Sequence, residues 1–113
     1  MQLAIRGRSG AARSMFVIVW KYTVRADAVD EFCAAYGPSG DWAQLFGRSP
    51  AFLGVELIAA QPTHDYLTVD RWESEAAFDA FVEAVRDEYE RLDHRFASLT
   101  EEELLVLRGR PVG

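Results

Sequence analysis

The feature that most constrains the fold is a strand that runs almost directly into a helix between Tyr66 and Leu92. From Tyr66 to Trp72 the residues alternate, and β-branched and aromatic types dominate, which is typical of a partly buried strand. Ser74 can then cap a helix, and Glu75 places negative charge in its first turn. The apolar stripe of one long helix follows at helical spacing: Phe78, Phe81, Val82, Val85, Tyr89 and Leu92. Trp72 is therefore expected near the base of this stripe.

The other elements complete a β-α-β-β-α-β order. Apolar and alternating runs predict strands over Phe16–Val24 and Phe52–Ala59, and a last strand over Glu103–Leu107. Simple alternation puts Val55 on the face opposite to Phe52. The order predicts an α+β, ferredoxin-like βαββαβ fold, in which a four-stranded antiparallel sheet carries two helices on one face.

Two shorter helices are expected between the first two strands. Asp27 is the predicted cap of a helix that ends at Gly37, which is expected to be left-handed. Ser39 or Asp41 is the predicted cap of a second helix of one or two turns, Trp42–Phe46. This second helix is an addition to the ferredoxin-like order.

The face of the sheet away from the helices is predicted to be apolar. It carries Val17 and Val19 on the first strand and Leu67 and Val69 on the third. A whole face of this kind is too apolar to meet water, and no internal repeat supplies a cover within one chain. The pattern therefore predicts a homodimer in which two sheets stack face to face, which is a dimeric α/β barrel.

Length, charge and cysteine content limit the class of protein. The 113 residues suit one domain, predicted over residues 15–107, with a loosely attached extension over residues 1–14 and a tail over residues 108–113. From Met15 onward the chain has nine basic and eighteen acidic residues. This negative balance argues against nucleic acid and anionic membranes as partners. Cys33 is the only cysteine, which fits the reducing cytoplasm. His64 and His94 lack ligand spacing and no cofactor motif is present, so neither metal nor cofactor is predicted.

Four segments resemble one known family. MFVIVWKYTV, GDWAQLF, FLGVEL and YLTVDRWESEAAFDAF, in this order, are similar to the antibiotic biosynthesis monooxygenase (ABM) domain family of the dimeric α/β-barrel superfamily. The most specific pieces are the strand–Trp–Glu–Ser–helix junction and the GDWAQLF loop. The resemblance implies a homodimer with a pocket between sheet and helices in each subunit. Characterised members include cofactor-independent oxygenases of polycyclic aromatic phenols and haem-degrading enzymes.

These two groups of enzymes differ in their site residues. Trp72 matches the Trp that ends the third strand in both groups. The haem-degrading members use an Asn on the first strand and a His on the second long helix, whereas this strand offers Trp20, Lys21 and Tyr22, and residues 74–93 contain no His. The phenol oxygenases use a set of Asn, Trp, Tyr and Arg, and this chain contains no Asn. The resemblance thus argues against haem degradation, and the site residues of the phenol oxygenases do not transfer directly to this chain either, because their Asn is missing.

The residues predicted to bind a ligand are aromatic. Trp20 and Trp72 are expected to hold a flat aromatic ring by stacking, beneath a lid of Tyr36, Trp42 and Phe46. The alternative interpretation is that all of them belong to an ordinary hydrophobic core.

Two polar residues are the predicted catalytic groups. Asp70 shares the face of Trp72, and burial would raise its pKa so that it takes a phenolic proton as general base. Tyr22 would donate a hydrogen bond to the oxygen of the substrate. The alternative for Asp70 is an ordinary hydrogen-bonded strand residue.

Two classes of function follow from these observations. The first is a cofactor-independent monooxygenase of the ABM type that acts on a small aromatic or phenolic substrate, because an electron-rich phenolate can itself reduce O₂. The second is a non-catalytic small-ligand-binding or stress-associated dimeric α/β-barrel protein, and a purely structural module comes third. Polar groups gathered around Trp20, Asp70 and Trp72 would favour the enzyme, whereas a pocket filled by the protein's own side chains would favour the other classes.

Overall fold

A computed structural model describes residues 15–112 of the chain. Its elements are β1 (Phe16–Val24), α1 (Val29–Tyr36), α2 (Asp41–Phe46), β2 (Phe52–Ala59), β3 (Asp65–Trp72), α3 (Glu75–Ala84), α4 (Arg86–Phe96), a 3₁₀ helix (Ala97–Leu99) and β4 (Thr100–Gly109). The predicted α+β class and strand order are confirmed, and β4 is longer than predicted at both ends. The predicted extension over residues 1–14 lies outside the described residues. Within them, no helix has the length and apolar character that crossing a membrane requires.

The four strands form one antiparallel sheet in the order β2-β3-β1-β4. The central strand β1 pairs Trp20 with Thr68 of β3 and with Leu105 of β4, and it pairs Tyr22 with Glu103 of β4. Directly opposed residues share a face of the sheet. This register therefore gathers side chains from neighbouring strands on the face that the helices cover.

A bulge in β2 changes the alternation that the sequence predicts. Phe52 pairs with Trp72, yet the next pair is Gly54 with Arg71, so one extra residue is inserted in β2. Gly54 has a φ of 125°, a conformation that L side chains rarely adopt. The bulge puts Phe52 on the same face as Val55, so the prediction that they lie on opposite faces is wrong.

The helix starts agree with the prediction, but not all the caps do. The Ser74 Oγ accepts a hydrogen bond from the Ala77 N–H at 3.1 Å, which confirms the predicted cap of α3. Asp27 does not cap α1, because its carboxylate pairs with Arg25 at 3.1 Å instead. Neither α1 nor α2 has a side-chain cap. Gly37 is extended, with φ −74° and ψ 177°, rather than left-handed.

The predicted long helix is divided into α3 and α4 at Val85, whose φ of −112° and ψ of 25° are not helical. Hydrogen bonding continues across this point. The Val85 N–H donates to the Phe81 carbonyl at 3.0 Å, and the Tyr89 N–H donates to the Val85 carbonyl at 2.9 Å. The apolar stripe therefore still faces the sheet along both helices.

Two clusters of buried residues lie between the helices and the sheet. The first joins β1, α1 and the end of α4: Tyr22, Val24, Ala28, Phe32, Ala35, Tyr36, Phe96 and Leu99. The second joins β1, α2 and the end of β3: Phe16, Ile18, Leu45, Phe46 and Trp72. Trp20, Trp42 and Leu92 pack against both clusters. The candidate site lies where the two clusters meet.

The opposite face of the sheet carries the predicted apolar residues at its centre, with Lys21, Glu56 and Arg71 beside them, and no described residue covers it. Val19 and Val69 pair at its centre. Around them, Ile58 on β2 is 41% exposed, and Leu104 and Leu107 on β4 are 55% and 48% exposed. We refer to these five apolar residues as the open face.

Candidate functional site

A cavity of about 360 Å³ opens between the sheet and helices α1, α2 and α4. Every strand and these three helices contribute to its lining, which consists of Trp20, Tyr22, Tyr36, Trp42, Ala43, Phe46, Val55, Thr68, Asp70, Tyr89, Asp93 and Glu103. Small-molecule sites typically have volumes of about 300–1,000 Å³ and are mostly apolar with a few convergent polar groups. The cavity has both properties.

The aromatic residues of the cavity contact one another in a continuous series. The ring centroids of Trp20 and Tyr22 are 6.4 Å apart, and those of Tyr22 and Tyr36 are 5.0 Å apart. Trp42 lies 6.1 Å from Tyr36 and 5.0 Å from Tyr89. These are the distances of favourable aromatic pairs. The walls are therefore held in place by their own packing, before any ligand binds.

Close packing of a glycine positions the two aromatic residues of α2. A Cβ on Gly40 would lie 2.3 Å from the Ala34 carbonyl oxygen and 2.5 Å from the Ala35 carbonyl oxygen, so only glycine fits there. The start of α2 consequently packs directly on the end of α1. Trp42 and Phe46, one turn apart on α2, then share the side that faces the cavity.

Asp70 supplies a carboxylate to the cavity wall. The residue is partly buried, and its side chain lies on β3 between Ile18 of β1 and Val55 of β2. Burial raises its pKa from 3.8 to about 7, because removal from water disfavours the charged form. No hydrogen bond or ion pair from residues 15–112 opposes this rise. A carboxylate that titrates near neutral pH can accept a proton from a bound ligand.

Three tyrosines of the cavity keep their protons at neutral pH. Burial raises the pKa of Tyr22, Tyr36 and Tyr89 above the ordinary value of 10.0. At Tyr22 the nearby Thr68 hydroxyl offsets part of this rise, and the charge of Asp70 adds to it. The three hydroxyl groups are therefore available as hydrogen-bond donors to a ligand.

Two exposed carboxylates, Asp93 of α4 and Glu103 of β4, stand at the mouth of the cavity. Partial burial raises the pKa of Glu103, and the charge of Asp93 raises it further. The two groups are thus close enough to repel each other. Among the described residues that line the cavity there is no Lys, Arg or His. The mouth is therefore acidic.

Six of the seven residues singled out in the sequence lie on this cavity: Trp20, Tyr22, Tyr36, Trp42, Phe46 and Asp70. Trp72 does not. It has 0% exposure, and its ring centroid lies 5.2 Å from Phe52, 5.3 Å from Phe78 and 5.5 Å from Phe46. The expectation that Trp72 contacts a ligand is corrected, because the β2 bulge and the first turn of α3 place phenylalanine rings around it.

Sequence reasoning did not single out Tyr89, Asp93 or Glu103. Tyr89 belongs to the apolar stripe of the predicted helix and therefore resembles a core residue. Asp93 follows it by one turn and shares its side of α4, a spacing that could have revealed it. Glu103 reaches the cavity only because β4 pairs it with Tyr22, and the sequence does not disclose that register.

The described residues contain no other candidate centre for covalent or metal chemistry. No group of three or more His, Cys, Asp or Glu side chains in residues 15–112 is arranged to hold a metal ion. Burial raises the pKa of the Cys33 thiol, so the thiol keeps its proton at neutral pH.

Comparison with solved structures agrees with this architecture. A monooxygenase from the gene ActVA-Orf6 of Streptomyces coelicolor, solved with the ligand nanaomycin D, has 23% identity and a TM-score of 0.69 over 89% of this chain and 90% of its own. SnoaB, a cofactor-independent oxygenase from Streptomyces nogalater, has 18% identity and a TM-score of 0.63 over 88% of this chain and 96% of its own. Rv0793 from Mycobacterium tuberculosis has 14% identity and a TM-score of 0.67 over 88% of this chain and 97% of its own.

The comparison of sequences identifies the family. The chain matches no protein of curated function. Its residues 15–92, more than half of its length, match the model of the antibiotic biosynthesis monooxygenases. This chain therefore belongs to the antibiotic biosynthesis monooxygenase family.

Proposed function

We propose that this protein is a cytoplasmic, cofactor-independent monooxygenase that acts on a small aromatic phenol. The observation that carries the proposal is the carboxylate of Asp70, which has no partner among residues 15–112 and lies in the wall of an aromatic cavity. Two similar structures support the reaction class, since one is described as a cofactor-independent oxygenase and the other is a monooxygenase in complex with nanaomycin D. The cytoplasmic location rests on the single cysteine.

The aromatic walls bind the ring of the substrate in this proposal. Trp20 and Trp42 stand on the sheet side and the helix side of the cavity, respectively, and both are half-buried. Tyr36 and Phe46 complete the helix side. A well-placed aromatic pair contributes about 0.5–1.5 kcal/mol beyond the burial of its area. A flat ring is therefore favoured over an aliphatic ligand of equal volume.

Asp70 and Tyr22 carry out the proton chemistry. The Asp70 carboxylate takes the proton of the phenol, and the Tyr22 hydroxyl donates a hydrogen bond that stabilises the phenolate. The phenolate transfers electrons to O₂, and a C–O bond forms at a ring carbon that bears hydrogen. The peroxide anion formed in this way takes the proton back from Asp70, and the resulting hydroperoxide loses water to leave a carbonyl group. One oxygen atom of O₂ ends in the product and the other in water, so O₂ accepts all four electrons that the substrate loses.

The pKa of Asp70 is suited to this role. An ordinary aspartate is too weak a base for a phenol, and general-base catalysis is most effective when the pKa lies near the working pH. Burial brings the pKa of Asp70 to about 7. The surrounding rings also exclude water, which would otherwise solvate and stabilise the ground state of the phenolate.

We also propose that two copies pair through the open face. Its central residues Val19 and Val69 and its exposed residues Ile58, Leu104 and Leu107 form a patch that monomeric proteins rarely leave in water. Light scattering is expected to give twice the 12.7 kDa mass of one chain. The double variant Val19→Asp/Val69→Asp should give a monomer or unfold, whereas Ala80→Asp on the exposed side of α3 should remain a dimer. A dimer mass for the double variant would contradict this interface.

Oxygen uptake tests the catalytic proposal. Metal-stripped protein is mixed with a panel of anthrones and hydroquinones, and binding is followed in parallel by quenching of tryptophan fluorescence. Asp70→Asn should reduce turnover by about 10²–10⁴-fold with little change in binding. Asp87→Asn, which removes an exposed carboxylate of α4 outside the cavity, should leave both unchanged.

The same measurement separates the two function classes. Binding of several phenols without any oxygen uptake by the wild-type protein would favour the non-catalytic ligand-binding protein. Equal turnover by Asp70→Asn and the wild type would show that Asp70 is not the general base, without contradicting the proposed class of reaction.

A further inference from the structure

We propose that the cavity selects its ligand by charge, and that its preferred ligands are flat phenols that carry a protonated amine. This inference rests on the proposed function for the phenol ring and adds a property of the substituent. Its basis is the arrangement of three carboxylates and several aromatic faces in one cavity that has no cationic lining residue within the described chain.

The three carboxylates occupy two separate places. Asp93 of α4 and Glu103 of β4 both line the cavity and are exposed, so they lie at its mouth. Asp70 is less exposed and lies on β3 beside Ile18, whereas Glu103 lies on β4 beside Tyr22, four positions further along β1 and on its other side. Tyr89 lines the same cavity from α4, one turn before Asp93. A ligand whose phenol meets Asp70 therefore extends past Tyr89 toward an acidic mouth.

Two arginines on or beside the helices that border the cavity pair with carboxylates outside its lining. Arg95 lies 3.6 Å from Asp41, and Arg48 forms an ion pair with Glu88. Within residues 15–112, no Lys, Arg or His lines the cavity, so no cationic lining residue lies beside the two carboxylates of the mouth. A bound ammonium group would supply the missing positive charge.

The aromatic walls favour the same charge. The faces of Trp and Tyr rings carry negative potential and attract cations within about 6 Å. An ammonium group at the mouth would thus interact with the faces of Trp42 and Tyr36 as well as with the two carboxylates. A carboxylate substituent would be repelled by both kinds of group, and a neutral hydroxymethyl group would gain from neither.

Three probes that share one ring test this selectivity. They are naphthohydroquinones that carry an aminomethyl, a hydroxymethyl or a carboxylate group at the same position. Affinity is measured anaerobically by tryptophan fluorescence at neutral pH and low ionic strength. We expect the ammonium probe to bind about tenfold more tightly than the carboxylate probe, with the hydroxymethyl probe between them. Added salt should reduce the difference, because it screens the exposed charges of the mouth.

Two isosteric variants and one matched control locate the effect. Glu103→Gln and Asp93→Asn should each reduce the preference for the ammonium probe about threefold, as expected for an exposed ion pair, without weakening the hydroxymethyl probe. The control is Glu102→Gln, which removes one negative charge from the neighbouring position. Glu102 pairs with Thr23, and its side chain lies on the opposite face of the sheet. Glu102→Gln should therefore leave the preference unchanged.

The outcomes distinguish this inference from the proposed function. Equal affinity for all three probes would overturn the selectivity while leaving the phenol site in place. Failure of all three probes to bind would overturn both proposals. An equal effect of Glu102→Gln and Glu103→Gln would show that the total charge of the protein, rather than the mouth, determines the preference.

Discussion

Asp70 and Trp72 lie two residues apart on the same face of β3, yet their surroundings differ completely. Trp72 has 0% exposure within the second buried cluster, whereas Asp70 lines a cavity of about 360 Å³. Both side chains leave the same strand in the same direction. The comparison shows that the strand determines which way a side chain points, and that the elements above it determine whether it meets a packed core or a cavity.

The difference arises from what packs over each end of the strand. Above Trp72, the bulge of β2 brings Phe52 close, and the first turns of α3 supply Phe78 and Phe81 at 5.3 and 5.6 Å. Above Asp70 the nearest elements are α2 and α4. There, Trp42 and Tyr89 contact each other at 5.0 Å and span the gap instead of filling it.

The strongest test of the comparison is truncation of the two tryptophans. Trp72→Ala should lower the free energy of unfolding by about 3–5 kcal/mol, because it empties a packed region. Trp42 already borders the cavity, so Trp42→Ala creates less new empty space. It should lower the free energy of unfolding by about half as much and mainly weaken ligand binding. Chemical denaturation of both variants measures the difference. If Trp72→Ala has the same melting temperature as the wild type, Trp72 is not part of a tightly packed core.

Trp72→Phe serves as a milder companion to that test. The indole N–H of Trp72 is buried without an acceptor among the described residues, so its removal relieves an unpaired donor. The variant should therefore fold, and because Trp72 does not line the cavity, its affinity for phenols should stay close to that of the wild type. A large change in affinity would indicate that Trp72 supports the cavity more directly than its packing suggests.

The pH dependence of stability is the second test, and it concerns Asp70. Its pKa is raised from 3.8 to about 7 by burial, so the folded state binds this proton more tightly than the unfolded chain does. The unfolding free energy must therefore fall as the pH rises between these two values, and the loss is complete above the upper one. Asp70→Asn should melt higher than the wild type at alkaline pH and show no advantage at acidic pH.

Asp65, at the other end of β3, should change stability with pH in the opposite direction to Asp70. A hydrogen bond from the Thr23 hydroxyl and the charge of Lys21 lower the pKa of Asp65 in the folded state. Its contribution to stability is therefore present at neutral pH and is lost as the pH falls below the ordinary range of aspartate. Asp65→Asn should melt lower than the wild type at neutral pH and converge with it in acid. Parallel pH profiles for the two variants would contradict the contrast.

The smallest expected effect on stability comes from Tyr22→Phe. The ring keeps its contacts with Phe32 and Tyr36, at 5.3 and 5.0 Å, so the free energy of unfolding should change by less than about 1 kcal/mol. The loss of one donor from the cavity should weaken phenol binding about threefold to tenfold. Tyr66→Phe is the matched control, because Tyr66 packs against the first cluster and does not line the cavity. An equal loss of affinity in both variants would show that the Tyr22 hydroxyl makes no specific contact with the ligand.

Local patterns in the sequence predicted most of the fold, because they depend on neighbours along the chain. Alternation located β1 and β3, and the spacing of apolar residues together with Ser74 located the start of α3. The same alternation placed Trp20, Tyr22 and Asp70 on one face, which is why they could be grouped before the structure was known. The caps of α1 and the division of the long helix were missed, since they depend on competing partners and on packing.

Local sequence patterns were enough to predict the strand order, the apolar stripe and the directions of the side chains on β1 and β3, but not on β2, where the bulge interrupts the alternation. Packing between distant elements was needed to enclose Trp72 while leaving Asp70 on a cavity, and to bring Glu103 to the site by pairing it with Tyr22. The physical reason is that alternation and helical periodicity are set by local backbone geometry. Cavities, raised pKa values and strand register instead depend on atoms that come from distant parts of the chain.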